Sequence, residues 1–391
     1  MRSISDTIAR LAALRASMGP LQNRPPVDRL SDMPAFGGNP GALQARIYVP
    51  EGLGDNASLV VVLHGCTQTA AAYDFGSGWS RLADELGFAL LFPQQQRSNN
   101  PNLCFNWFEP GDARRGAGEA HSIRQMIEAV VTGHGLDRRR VFITGLSAGG
   151  AMAAAMLASY PEVFAGGAII AGVPFGAANT VPEAFDRMRG QGLPTERELK
   201  KSMKIASGHE GPWPTLSLWH GGADQTVHPA NADAILGQWR SLHGLDAAPT
   251  RTEKIGGTTR RVWCSKDGRE MIEAFNIAGM GHGTPLNTSG PDGLGMQGAY
   301  MLDAGISSTR HIACFWGLVD PAETARAMSK GRLAEMAAAA ADLEEAETTS
   351  KGVVAGSAPA HSREADILSN GSTGSVGKMI EGALRKAGLM P

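Results

Sequence analysis

The chain has 391 residues, of which 42% are hydrophobic and 19% charged, and its formal net charge is −2. That is ordinary globular composition with enough apolar mass for a large core. It offers no basic stripe for nucleic acid and no apolar run near the roughly 18 residues needed to cross a bilayer.

The N-terminal stretch "MRSISDTIARLAALRASMG" has no unbroken apolar core, because Arg10 and Arg15 interrupt it. A signal peptide is therefore not expected, and a cytoplasmic location follows. Ile4, Ile8, Leu11 and Leu14 recur at helical spacing, so residues 1–39 read as a short amphipathic helix with a linker. Residues 44–50 and 58–63 are apolar, β-branched and bounded by Pro or Gly, which predicts strands. A helix is expected over 77–86 and a buried strand over 88–93. Ile123, Met126, Ile127 and Val130 share one side of a helix predicted over 118–132. A strand at 141–144, a helix at 148–159, and the strands "GGAIIAG" and "TLSLWHG" (215–221) follow. A helix near 229–242, a strand at 271–277 and a last helix near 305–316 complete the series.

Strands alternating with helices imply an α/β protein with a mainly parallel sheet covered on both faces, its chemistry at the carboxyl ends of the strands. Two regions break the rhythm. Residues 174–214 hold prolines, glycines and charges between two core strands, and are expected to form a cap over the working edge. From about 319 the composition becomes an Ala-rich helix, a Ser/Gly-rich linker and a last amphipathic stretch, "VGKMIEGALRKAGLM". The catalytic body is thus expected over 40–318, with 319–391 as an appendage whose apolar face suits granule or interface association.

The chemistry centres on "VFITGLSAGGAM", residues 141–152. Gly145-Leu146-Ser147-Ala148-Gly149 fits G-x-S-x-G, with the strand before and the helix after that a nucleophile elbow requires. Serine needs a base, and the base needs an orienting carboxylate. Asp224 in "SLWHGGADQTVHPANA" and His282 in "FNIAGMGHGTPL" supply them in the order acid then histidine, each in a Gly-rich loop after a strand. His228 follows the same strand as Asp224 and could cap the next helix or line the pocket. His121, His243 and His311 fall on predicted helices and read as surface or packing residues. The tetrahedral oxyanion needs two donors. The amide of Ala148 is one, and the amide of Cys66, in "VVLHGCTQ", is assigned as the other. His64 reads as a buried histidine bracing that turn. Trp107 and Phe108 could wall an ester-binding cleft or pack in the core. No His/Asp/Glu spacing suggests a metal, and no cofactor is expected. The four cysteines permit two disulfides without requiring them, and without a leader free buried thiols are the default expectation.

"LHGCTQTA", "WFEPGDARRGAGEAHSIRQMI", "GLSAGGAM", "WHGGADQTVHPANA", "GMGHGTPL" and "YMLDAGISSTRHIACFWGL" together resemble the polyhydroxybutyrate depolymerase family of esterases, type-one catalytic domain. Feruloyl and acetylxylan esterases belong to the same superfamily. The blocks occur in the family's order and span roughly residues 40–318. The resemblance implies an α/β-hydrolase fold, a triad on Ser147, Asp224 and His282, and oxyanion amides at Cys66 and Ala148. By analogy with secreted relatives it also implies a Cys66–Cys104 disulfide and, as the alternative to the cytoplasm, a secreted or periplasmic location. Those relatives usually carry a leader and a polymer-binding domain, and neither is expected here. The expected activity is therefore a serine esterase on hydroxyalkanoate oligomers, amorphous polyester or small acyl esters. A feruloyl- or acetylxylan-type carboxylesterase is the first alternative, and a non-catalytic granule-associated protein is the second.

Overall fold

The run Leu59-Val60-Val61-Val62-Leu63 sets the architecture. All five residues are buried, as in a strand covered on both faces. Leu59, Val61 and Leu63 belong to one core cluster, Val60 and Val62 to the other. The computed structural model describes residues 28–319, apart from residues 34, 256 and 291. The amphipathic segments expected near both ends of the chain lie outside those described residues.

In chain order the strands of the main sheet are β1 (Ser31–Asp32), β2 (Gln44–Tyr48), β3 (Leu59–Leu63), β4 (Ala89–Gln94), β5 (Val141–Leu146), β6 (Gly166–Ile170), β7 (Thr215–Gly221), β8 (Arg251–Ile255), β9 (Thr258–Cys264) and β10 (Glu270–Ile277). They pair in the order β1-β2-β4-β3-β5-β6-β7-β10-β9-β8. From β4 to β10 every pairing is parallel. Both edges are antiparallel. The helices are α1 (Ala70–Ser77), α2 (Trp79–Leu86), α3 (Pro110–Ala113), α4 (Gly118–Gly133), α5 (Ala148–Ser159), α6 (Val181–Met188), α7 (Glu196–Ser207), α8 (Ala230–His243) and α9 (Ser308–Phe315). Helices α4, α5 and α8 cover one face, and α1, α2 and α9 the other. Every residue of α5 is buried, so its alanines and glycines let the helix seat close against the strands. This is the α/β-hydrolase fold.

Four local expectations change. The helix expected over 77–86 is two helices, because Gly78 (φ 77°) ends α1 with its N–H on the Asp74 carbonyl and then starts α2. The hairpin β8–β9 was not expected, since its strands carry more charge than apolar surface. The boundary at residue 40 falls too late: Leu30 is buried, β1 pairs with β2, and Arg29 donates to the Tyr48 hydroxyl at 2.6 Å. Residues 174–214 contain α6 and α7, which divide the labour. Helix α6 reaches the cleft described below, whereas α7, opened by the Thr195/Glu198 capping box, packs Leu199 and Met203 into the body.

Burial of histidine gives the fold an expected acid limit. His64 is fully buried, and burial drives its pKa down to about 4 despite the Gly65 carbonyl beside it. The unfolded chain protonates this histidine below about 6.5 and the folded one only near 4, so its stabilisation is complete above 6.5 and lost as pH falls through 4. That is on the order of 3 kcal/mol for His64 alone. The half-buried His243 and His311, also lowered to about 4 chiefly by burial, act in the same direction. Thermal melts should show Tm falling by several degrees between pH 7 and pH 4.5. An unchanged Tm over that interval would refute the account.

Candidate active site

Ser147 stands where β5 becomes α5, with φ 57° and ψ −118°, a region that non-glycine residues rarely occupy. Two bonds hold it there: its N–H donates to the Ile170 carbonyl at 2.9 Å, and its carbonyl accepts from Ala151 at 2.9 Å. The flanking glycines are steric necessities. A Cβ on Gly145 would collide with the Gly149 carbonyl, and one on Gly149 with the Leu63 carbonyl. Within residues 141–150, Ser147 alone is not buried.

Asp224 and His282 lie on loops after the adjacent parallel strands β7 and β10. The loops are stitched together by Gly222 N–H to the Ile277 carbonyl (2.8 Å) and Ala223 N–H to the Met280 carbonyl (2.9 Å). His282 Nδ1 then sits 2.7 Å from Asp224 Oδ2. Asp224 Oδ1 accepts the N–H groups of Thr226 (2.8 Å) and Val227 (2.9 Å). Burial alone would raise the Asp224 pKa. The hydrogen bond and charge of His282, with the Val227 N–H, outweigh it and hold the pKa below the usual aspartate value. A carboxylate so placed fixes a proton on His282 Nδ1 and leaves Nε2 as the acceptor.

Ser147 and His282 line one cleft of about 510 Å³, without a direct hydrogen bond between them. Such bonds are often long before substrate binds. Cys66 and Ala148 line the same cleft, and neither backbone N–H has an acceptor among the described residues. The Cys66 turn is braced from behind. Gln68 Oε1 accepts the Gly65 N–H at 2.8 Å, and His64 Nε2 accepts the Gln95 N–H at 3.2 Å. Two acceptor-free amides beside a serine suit a developing negative charge.

The family model described as esterase PHB depolymerase matches residues 43–263. Poly(3-hydroxyalkanoate) depolymerase C of Paucimonas lemoignei is 45% identical over 74% of this chain and 70% of its own length. The chain belongs to the PHB depolymerase family of esterases. Feruloyl esterase B of Talaromyces funiculosus is 30% identical over 66% of this chain and 74% of its own. Among solved structures, acetyl xylan esterase from Aspergillus awamori superposes with a TM-score of 0.63 at 25% identity, over 74% of this chain and 99% of that one.

Around the esterase's cleft the other expected residues divide. Trp107 and Phe108 both line it, their rings edge-to-face at 5.5 Å, while Trp107 also packs on the core. Facing residues come from α6 (Val181, Ala184, Phe185 and Met188). His228 does not join them. It is exposed, its Nδ1 accepts the Ala230 N–H at 3.2 Å, and its ring lies over Gly190. It stands just before α8 and is not among the residues that line the cleft, so the expected substrate contact there is not seen. Cys66 and Cys104 form a disulfide that ties the Cys66 turn to the 99–109 wall. The default of four free thiols is corrected for that pair. A disulfide persists in oxidising compartments, which suits a secreted or periplasmic location and gives the cytoplasmic expectation no support. No helix among the described residues is long and apolar enough to cross a membrane.

Two neighbours of Asp224 and His282 went unread in the sequence. His220, four residues before Asp224, is buried, with Nε2 2.8 Å from the Val227 carbonyl and 3.4 Å from Asp224 Oδ2. Tyr300 lines the cleft edge-to-face with His282 at 5.9 Å. Its one signal was its place at the head of "YMLDAGISS".

Proposed function

We propose that this esterase cleaves hydroxyalkanoate esters through Ser147 as nucleophile, His282 as base and Asp224 as its orienting carboxylate. His282 Nε2 takes the Ser147 proton as Oγ attacks the ester carbonyl. The N–H groups of Cys66 and Ala148 receive the oxyanion. The tetrahedral species collapses to an acyl-Ser147, and His282 returns the proton to the departing alcohol. Water then repeats the sequence and frees the acid and the serine. The observation that carries this reading is the meeting of the strained Ser147, the His282–Asp224 pair and two acceptor-free amides in one cleft.

The substrate assignment draws on the 45% identity to a poly(3-hydroxyalkanoate) depolymerase and on the predominantly apolar walls of the cleft. Product analysis after parallel incubation with 3-hydroxybutyrate oligomers and a feruloyl ester tests it. Release of 3-hydroxybutyrate at the higher kcat/KM is expected. Hydrolysis of the feruloyl ester with the oligomers left intact would overturn the substrate class in favour of the aromatic-ester alternative.

A further inference from the structure

Eight non-glycine residues among those described have positive φ, and three of them, Thr67, Ser147 and Tyr300, line the cleft. Strained backbone persists only where its surroundings over-determine it, and it gathers at working sites. For Tyr300 (φ 61°) those surroundings are visible. Its carbonyl accepts the Thr284 N–H at 2.8 Å, two residues beyond His282. The next residue opens a short strand, Met301–Asp303, that pairs in parallel with Thr284–Leu286. The ring meets the His282 ring edge-to-face, at 5.9 Å and 78°. Backbone and ring together therefore fix Tyr300 relative to His282. Its side chain is half-buried in the cleft wall, and its hydroxyl has no hydrogen-bond partner among the described residues.

A phenol held beside the base faces one part of the substrate. The imidazole that takes the serine proton must return it to the leaving oxygen, so the departing alcohol lies against His282 and hence beside Tyr300. A simple alcohol offers that hydroxyl nothing further along. In a chain of 3-hydroxyacyl units, the leaving oxygen belongs to the next unit, whose carbonyl is separated from it by only two carbons. We propose that Tyr300 is a specificity-determining residue whose hydroxyl donates to the carbonyl of the leaving hydroxyacyl unit, selecting chain esters over esters of simple alcohols. The inference rests on the proposed function, and it names the leaving side of the substrate, which that reading leaves open.

The test compares 3-hydroxybutyrate trimer with ethyl 3-hydroxybutyrate, which shares the acyl unit but leaves as a plain alcohol. Wild type and Tyr300→Phe are assayed on both, with melting curves confirming the fold. Phenylalanine keeps the ring and its contact with His282 and removes only the donor. The ratio of kcat/KM, trimer over ethyl ester, should fall about tenfold in the variant, the usual range for one lost hydrogen bond. An unchanged ratio, whether both rates hold or both drop alike, would mean that Tyr300 acts by packing alone and overturns the inference. A wild type that cleaves neither substrate, while cleaving a feruloyl ester, overturns the proposed substrate class and this inference with it. The two failures are thus distinct.

Discussion

Ser147→Ala should lower kcat on a soluble acyl ester by at least about 10⁴-fold and leave the melting temperature close to that of the wild type. The second half follows from the local bonds. Ser147 is held by its backbone, through Ile170 and Ala151, and its side chain makes no capping bond at the start of α5. Alanine inherits the same strained φ and the same glycine-lined space, so the elbow keeps its shape. The first half follows from the chemistry: no other hydroxyl carries the proposed attack, and what remains is binding and the two amides. Side-by-side kinetics and melting curves decide it. Activity within about tenfold of wild type, on a folded variant, would move the nucleophile elsewhere.

The parts of the fold that were legible are those in which local sequence and burial agree. The strand at 215–221 and the helix at 148–159 have their expected bounds because each is buried throughout, so apolar content alone marks it. The hairpin β8–β9 was invisible for the opposite reason. Its charged residues, Arg251, Glu253, Lys254, Arg260 and Arg261, read as a solvated loop. Their partners lie within the hairpin and on the adjacent β10. Arg260 pairs with Glu253 at 3.0 Å and with the buried Glu273 at 2.7 Å, so tertiary pairing, not hydropathy, makes the strands.

The site divides in the same way. A nucleophile elbow needs small residues at fixed offsets, and acid and base follow in a set order, so Ser147, Asp224 and His282 could be singled out from sequence as candidates. Side-chain direction could not. His220 and His228 flank the same loop, yet one lies against Asp224 and the other against Gly190. Nothing in the letters around Tyr300 announces a positive φ. The pairing of Cys66 with Cys104 came only through family resemblance, because four cysteines allow three connectivities.

Asp224→Asn should cost about 10³- to 10⁴-fold in kcat near neutral pH, with the fold retained. The asparagine has the same size, and its oxygen can keep both backbone bonds, from Thr226 and Val227. Its NH₂ group must then face His282 Nδ1 at the 2.7 Å contact, where the aspartate accepted a hydrogen bond. The imidazole answers by placing its lone pair on Nδ1 and its hydrogen on Nε2, and that nitrogen can no longer take the proton of Ser147. Turning the amide over would restore the tautomer but aim the NH₂ at two backbone N–H groups, which costs more than it returns. His220 cannot stand in for the lost carboxylate. It lies 3.4 Å from the same oxygen, but its Nε2 hydrogen is committed to the Val227 carbonyl, and burial keeps the ring neutral by lowering its pKa. Burst and steady-state kinetics on one soluble ester check the prediction, since the wrong tautomer slows acylation itself. A folded Asp224→Asn protein with a burst rate near that of the wild type would mean that something other than Asp224 orients the base.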